Sequence, residues 1–148
     1  MVHHVYWLPT REGDKVLAGS PVLADKQRPD ILVTSPVSGT VEQVVRGEKR
    51  KLLEVRIKAD KTGGAVDFGV KSAASMTAAD VRDLLLKSGL WVALVQRPYG
   101  VIANPELTPK AIFVSAFSTA PLAADTEFTL KDELANIQAG ADALSKLT

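Results

Sequence analysis

Alternation of apolar and polar positions in the first sixty residues predicts short antiparallel strands. Pro21 to Thr34 holds two apolar runs that can pair across the charged tip Asp25-Lys26-Gln27-Arg28. Thr40 to Val45 alternates around Val41, and Lys51 to Ala59 places Leu53, Val55 and Ile57 on one face with Glu54, Arg56 and Lys58 on the other. Strands of this kind have one wet side. Two turns bracket the first hairpin. The E-G-D-K-V-x-x-G turn (Glu12 to Gly19) supplies Gly13 and Gly19 for positive φ, and S-P-V-S-G (Ser35 to Gly39) enters extended through Pro36 and is released by Gly39.

The period changes after Lys61-Thr62-Gly63-Gly64. Residues up to Ser75 are small and rich in Gly and Ala, a connector with room for an edge strand over Ala65 to Phe68, and a unit boundary is expected near residue 70. Thr77 and Asp80 have capping-box spacing, Val81, Leu84 and Leu85 form an apolar stripe, and Gly89 is a helix stop, which predicts a helix over 77–88. Pro98, Pro105 and Pro109 make the next segment a loop with extended patches. Ala111 to Phe117 is a continuous apolar run of strand length, expected to be covered on both faces. Leu130, Leu134, Ile137, Ala141 and Leu144 form an apolar seam in a helix expected over 129–147, packing against a sheet. One strand and one long helix make too small an α/β unit, so the chain reads as a piece of a longer protein or as one completed by an oligomeric partner. The fold class is α+β in two units, residues 11–70 and 71–148, after an uncertain tail of ten residues.

Composition narrows the chemistry by exclusion. The 148 residues are 46% hydrophobic and 24% charged, a globular balance, and the formal net charge of +1 gives no global attraction to nucleic acid. No apolar run approaches the roughly 18 residues of a spanning helix. With no cysteine there is no disulfide, thiolate or Cys-ligated metal chemistry. His3-His4 is the one metal-ligand suggestion, but neighbours on a strand face opposite ways and no acidic residue completes a site. Between Arg46 and Lys61 seven basic residues oppose three acidic ones. That stretch suits either a patch docking on an acidic partner or headgroups, or a solvated strand face, and the solvated face is the expectation; no aromatic residue interleaves to stack on bases.

The two turns and the exposed tip resemble the biotinyl/lipoyl-carrier fold, a small barrel-sandwich. That resemblance makes Lys26 a candidate for lipoate or biotin attachment, since Asp25-Lys26 is similar to the lipoyl D-K-A tip. The methionines that flank the lysine of biotin carriers are absent, and the span from Lys26 to Ser35-Pro36 is a little longer than the lipoyl pattern, with Pro29 intruding. A nucleotide or flavin site lacks its signature: neither a P-loop nor G-x-G-x-x-G occurs. No Ser/His/Asp set or carboxylate pair suggests catalysis. On residues alone the chain is a binding or assembly module, with no catalytic, cofactor or metal residue assigned.

Longer blocks carry a more specific resemblance. EGDKVLAGSPVLADKQRPDILVTSPVSGTVEQVVRGEKRKLLEVRIKAD, SGLWVALVQRPYG, TPKAIFVSAFSTAPLAAD and IQAGADALSKLT are, in order, similar to the A-subunit family of the bacterial Na+-translocating NADH:quinone oxidoreductase. The resemblance implies the N-terminal part of a peripheral subunit on the cytoplasmic face of the inner membrane, associated with the quinone-reducing end and contributing to quinone binding and assembly, with other subunits and quinone at the complex interface as partners. The complex passes electrons from NADH to ubiquinone or menaquinone and exports Na+, and its flavins and iron–sulfur centre belong to other subunits. It also implies an incomplete Rossmann-like α/β unit related to flavin-binding redox subunits. Those relatives have a Gly-rich loop where Trp91, Val92, Ala93, Leu94 and Val95 stand here, and an acidic, Gly-containing loop where Ser118, Thr119, Ala120 and Pro121 stand. A lost flavin site on a retained scaffold is therefore expected, with no cofactor held by this chain. Leu90, Trp91 and Tyr99 are aromatic or apolar groups that a quinone ring could meet, and core packing is the expectation for them.

Overall fold

Strand pairing in the first sixty residues builds two antiparallel three-stranded sheets. The computed structural model describes residues 6–61, 63–69 and 72–148. Six strands come first: β1 (Tyr6–Trp7), β2 (Lys15–Val16), β3 (Pro21–Asp25), β4 (Leu32–Thr34), β5 (Gly39–Arg46) and β6 (Leu52–Ala59). They form sheets of order β1-β3-β4 and β2-β5-β6. In the expected hairpin Leu23 pairs with Val33 and Ala24 with Leu32. In the second, Val41 faces Ile57 and Val44 faces Val55. Alternate strand residues point inward, so Val16, Val22, Ala24 and Val41 are buried, and Ile31, Ser35 and Ser38 from the connecting segments are buried as well.

Three expectations change here. The first ten residues are not all a loose tail, because Tyr6 pairs with Asp25 and Trp7 with Ala24 as an edge strand; His3-His4 lies outside the described residues. Leu53 does not share a face with Val55 and Ile57. A register shift between Val45 and Arg46 skips it, and it stays 57% exposed against Gly47. Gly13 and Gly19 do sit at φ +92° and +91°, but Gly39 is the first residue of β5 rather than the end of a turn. A Cβ there would meet the Lys58 carbonyl oxygen at 2.1 Å, so close backbone approach demands glycine. Over Ala65 to Phe68 only Ala65 makes a bridge, parallel to Ala18.

Contacts divide the chain into two units, Met1–Gly69 with Asp83–Asn104, and Val70–Arg82 with Pro105–Thr148. The boundary expected near residue 70 is thus one of several, since Asp83–Asn104 returns to the first unit. Helix α1 (Ala78–Lys87) begins at the expected capping box. Thr77 Oγ1 accepts from Asp80 N at 3.2 Å, and Thr77 N donates to the Asp80 carboxylate at 2.9 Å. Gly89, at φ +75°, ends the helix. A 3-10 turn over Leu90–Ala93 and a small hairpin, β7 (Val95–Gln96) with β8 (Val101–Ile102), follow in the proline-rich segment. This return segment is fastened to β4: Thr34 Oγ1 donates to the Ser88 carbonyl at 3.1 Å, and a Cβ on Gly89 would strike the Thr34 side chain.

The second unit departs furthest from expectation. The strand expected over 111–117 is not formed, and no β-pairing is made there among the described residues. Phe113, Val114 and Phe117 are more than three-quarters exposed. An apolar run becomes a strand only beside a neighbour that takes its ladder hydrogen bonds. The helix expected over 129–147 is two helices, α2 (Thr126–Leu130) and α3 (Leu134–Ser145). Its seam does not pack on a sheet: Leu134 and Ile137 are exposed. Just after α3, Leu147 is buried and Lys146 Nζ donates to the carbonyls of Ala74 and Met76.

Candidate functional site

The tip of the β3–β4 hairpin is shaped by Asp25. Its buried carboxylate accepts from the amides of Gln27 at 2.8 Å and Arg28 at 3.0 Å, and its own amide donates to the Ile31 carbonyl at 3.0 Å. This side-chain turn fixes the loop and leaves Lys26 exposed. Asp25 is therefore a turn former, and Lys26 projects as a carrier lysine must. Burial raises the Tyr6 phenol above its usual value of 10.0, and the nearby Asp25 charge adds to the rise.

Beside that hairpin lies a groove of about 400 Å³ between the two sheets of the first unit. Val22, Leu23 and Val33 line one wall, and Leu52, Val55 and Ile57 line the other. Tyr6 and Glu54 are the ionisable groups at its edge. Such a lining accepts apolar surface, and its Thr34 and Ser35 hydroxyls already donate to the Ser88 and Val37 carbonyls. Neither Tyr6 nor the groove was singled out by the sequence pattern; two aromatic, strand-prone residues at 6 and 7 were the available signal.

The residues suggested for a flavin or quinone are dispersed in role. Trp91 is buried, and its Nε1 donates to the Ala103 carbonyl at 2.8 Å, so it pins the 3-10 turn to the segment after β8. Leu90 and Tyr99 are exposed, at 60% and 80%. In the second unit, Ser118 to Pro121 is an exposed loop. The Asp125 carboxylate after it accepts from the amides of Glu127 and Phe128 at the start of α2. Among the described residues no group of three or more His, Cys, Asp or Glu could hold a metal ion, and no helix is long and apolar enough to cross a membrane.

Comparison with known proteins now separates the possibilities. Residues 6–60 match the model of the NqrA N-terminal barrel-sandwich hybrid domain, and residues 76–148 match that of the NqrA second alpha/beta domain. The chain belongs to the NqrA family. Among curated relatives, the A-subunit of the Na(+)-translocating NADH-quinone reductase of Pseudomonas aeruginosa (strain UCBPP-PA14) is 39% identical over 137 residues, 91% of this chain and 31% of the relative. The same protein of Actinobacillus pleuropneumoniae serotype 5b is 38% identical over 142 residues, 95% of this chain and 32% of the relative. That of Rhodopirellula baltica is 40% identical over 140 residues, covering 92% and 31%. The chain spans about a third of the length of these relatives. The NqrA domains cut the chain between residues 60 and 76, whereas packing returns Asp83–Asn104 to the barrel-sandwich through Thr34, Ser88 and Gly89. Residues 6–60 are thus the family's barrel-sandwich hybrid domain, and residues 76–148 lie in its second α/β domain.

Proposed function

We propose that this chain is the N-terminal part of the NqrA subunit of a Na+-translocating NADH:quinone reductase, and that it serves assembly at the quinone-reducing end. The observation that carries the reading is the ordered match of both units to the NqrA domains. In this role the chain is peripheral, on the cytoplasmic face of the inner membrane, and its partners are the other subunits of the complex. Quinone reduction and Na+ export belong to the assembled complex, to which this chain contributes shape and contact surface.

The NqrA scaffold here does not suit a flavin. A phosphate cradle needs backbone amides free to approach the anion at a helix start. In the first unit Trp91 fills the turn after Gly89 and no second glycine follows it before Gly100. In the second unit the Asp125 carboxylate already takes the free amides of α2. Both features support a chain that contributes scaffold to the complex rather than a flavin of its own. The test is reconstitution: full-length NqrA, mixed with the purified remaining complex, should restore quinone reduction. Failure to associate rejects the assignment.

A further inference from the structure

We propose that the tip of the β5–β6 hairpin is a contact for an anionic lipid surface. Both strands are eight residues long, but β2 pairs only with Gly39 and Thr40 of β5. At about 3.3 Å per residue the hairpin runs roughly 20 Å from Thr40 to Arg46. Its far end is closed by Gly47 N donating to the Lys51 carbonyl at 2.8 Å and Lys51 N donating to the Glu48 carbonyl at 3.1 Å. The two residues inside that turn, Lys49 and Arg50, have φ of +52° and +60°. Asn and Gly occupy such hairpin positions without strain, while L side chains enter them at a cost. This chain instead places two cations there.

Arg46 and Lys51 flank them, and all four side chains are exposed with Glu48 as the single acidic residue of the tip. Farther along the hairpin Arg56 is neutralised by Glu54 at 2.9 Å, whereas the tip cations make no ion pair among the described residues. The charge at the tip is therefore unspent. Leu53, 57% exposed beside Gly47, adds an apolar group next to the cations. Exposed point charges without an aromatic anchor do not resemble a specific protein interface, where lysine is depleted and aromatic residues are enriched. Headgroups require no fixed geometry and accept such a cluster together with one apolar side chain. The choice of surface rests on the membrane-complex reading above.

Cosedimentation with phosphatidylglycerol-containing vesicles, against pure phosphatidylcholine vesicles, tests this with the chain alone. Binding should require the anionic lipid and weaken in salt. Lys49→Asn/Arg50→Gly should lower it about thirtyfold without lowering the urea midpoint, because Asn-Gly suits the turn. Lys58→Gln, a charge loss at the opposite end of the hairpin, should leave most of the binding intact. No preference for anionic vesicles, or a double variant that binds them as the parent does, overturns the proposal. A double variant that keeps vesicle binding but loses association with the NqrA-depleted complex overturns it in favour of an acidic protein surface. Because the vesicle assay contains no other subunit, it reads the same whether or not reconstitution succeeds.

Discussion

Replacing Gly39 with alanine should disrupt the barrel-sandwich more than any comparable glycine change. The new Cβ would lie 2.1 Å from the Lys58 carbonyl oxygen, 2.8 Å from its carbon and 3.0 Å from Ala59 Cα. These are backbone atoms of β6, so no side-chain rotation relieves the clash. The strands must part by roughly 1 Å, given an ordinary carbon contact distance of about 3.5 Å. That opening weakens the pairing of Gly39 with Ala59 and Thr40 with Lys58. Two ladder hydrogen bonds at about 1 kcal/mol each, added to an overpacking cost of about 1–3 kcal/mol, give roughly 3–5 kcal/mol. For a domain of this size, a loss of that order lowers Tm by on the order of 10 °C. Gly13→Ala is the internal control, because nothing lies within 4 Å of its Cβ and only its φ of +92° is strained. It should cost about 1–2 kcal/mol. Melting curves followed by circular dichroism compare the two. A Gly39→Ala protein that melts with Gly13→Ala, or with the parent, would refute the close-approach argument.

Thr77→Ala removes the hydroxyl half of the capping box, leaving the residue 77 amide on the Asp80 carboxylate, and should cost about 1 kcal/mol, with Thr77→Ser restoring most of it, as amide exchange at the start of α1 will show. Trp91→Phe should destabilise the first unit by about 1–3 kcal/mol by leaving the Ala103 carbonyl without its donor, measured by urea unfolding. Tyr6 has a raised folded pKa, so the native state keeps a proton that the unfolded state loses as pH passes about 10. Stability should be insensitive to this group below that pH and should fall above it, up to the folded pKa; Tyr6→Phe should remove this part of the alkaline loss in chemical denaturation at stepped pH. Intact mass of the chain made in a lipoylation-competent host should show Lys26 unmodified, and an added lipoyl mass would restore the carrier reading.

Local chemistry was legible in the sequence wherever neighbours in the chain decide it. The capping box, the Gly89 stop and the Pro21-to-Thr34 hairpin need only residues a few positions apart. What escaped depends on partners distant in sequence. Gly39 looks like a turn residue until β6 is seen lying across it, and Leu53 fits the alternation until the register shift displaces it. The apolar run Ala111 to Phe117 carries a strand signal that only a flanking strand could satisfy. The groove between the sheets was invisible for the same reason, since its walls come from residues some thirty positions apart. Residue types alone did exclude a thiolate or a Gly-rich phosphate loop, because those chemistries need particular side chains or glycines in sequence.

Competition for the complex tests the assembly role most directly. The purified chain, added in increasing excess to complex lacking NqrA, should occupy the docking surface and suppress the quinone reduction that full-length NqrA restores. Suppression that saturates with the amount of chain bound is the predicted result. Full restoration at every excess, with no chain retained by the complex on gel filtration, would contradict the assembly role.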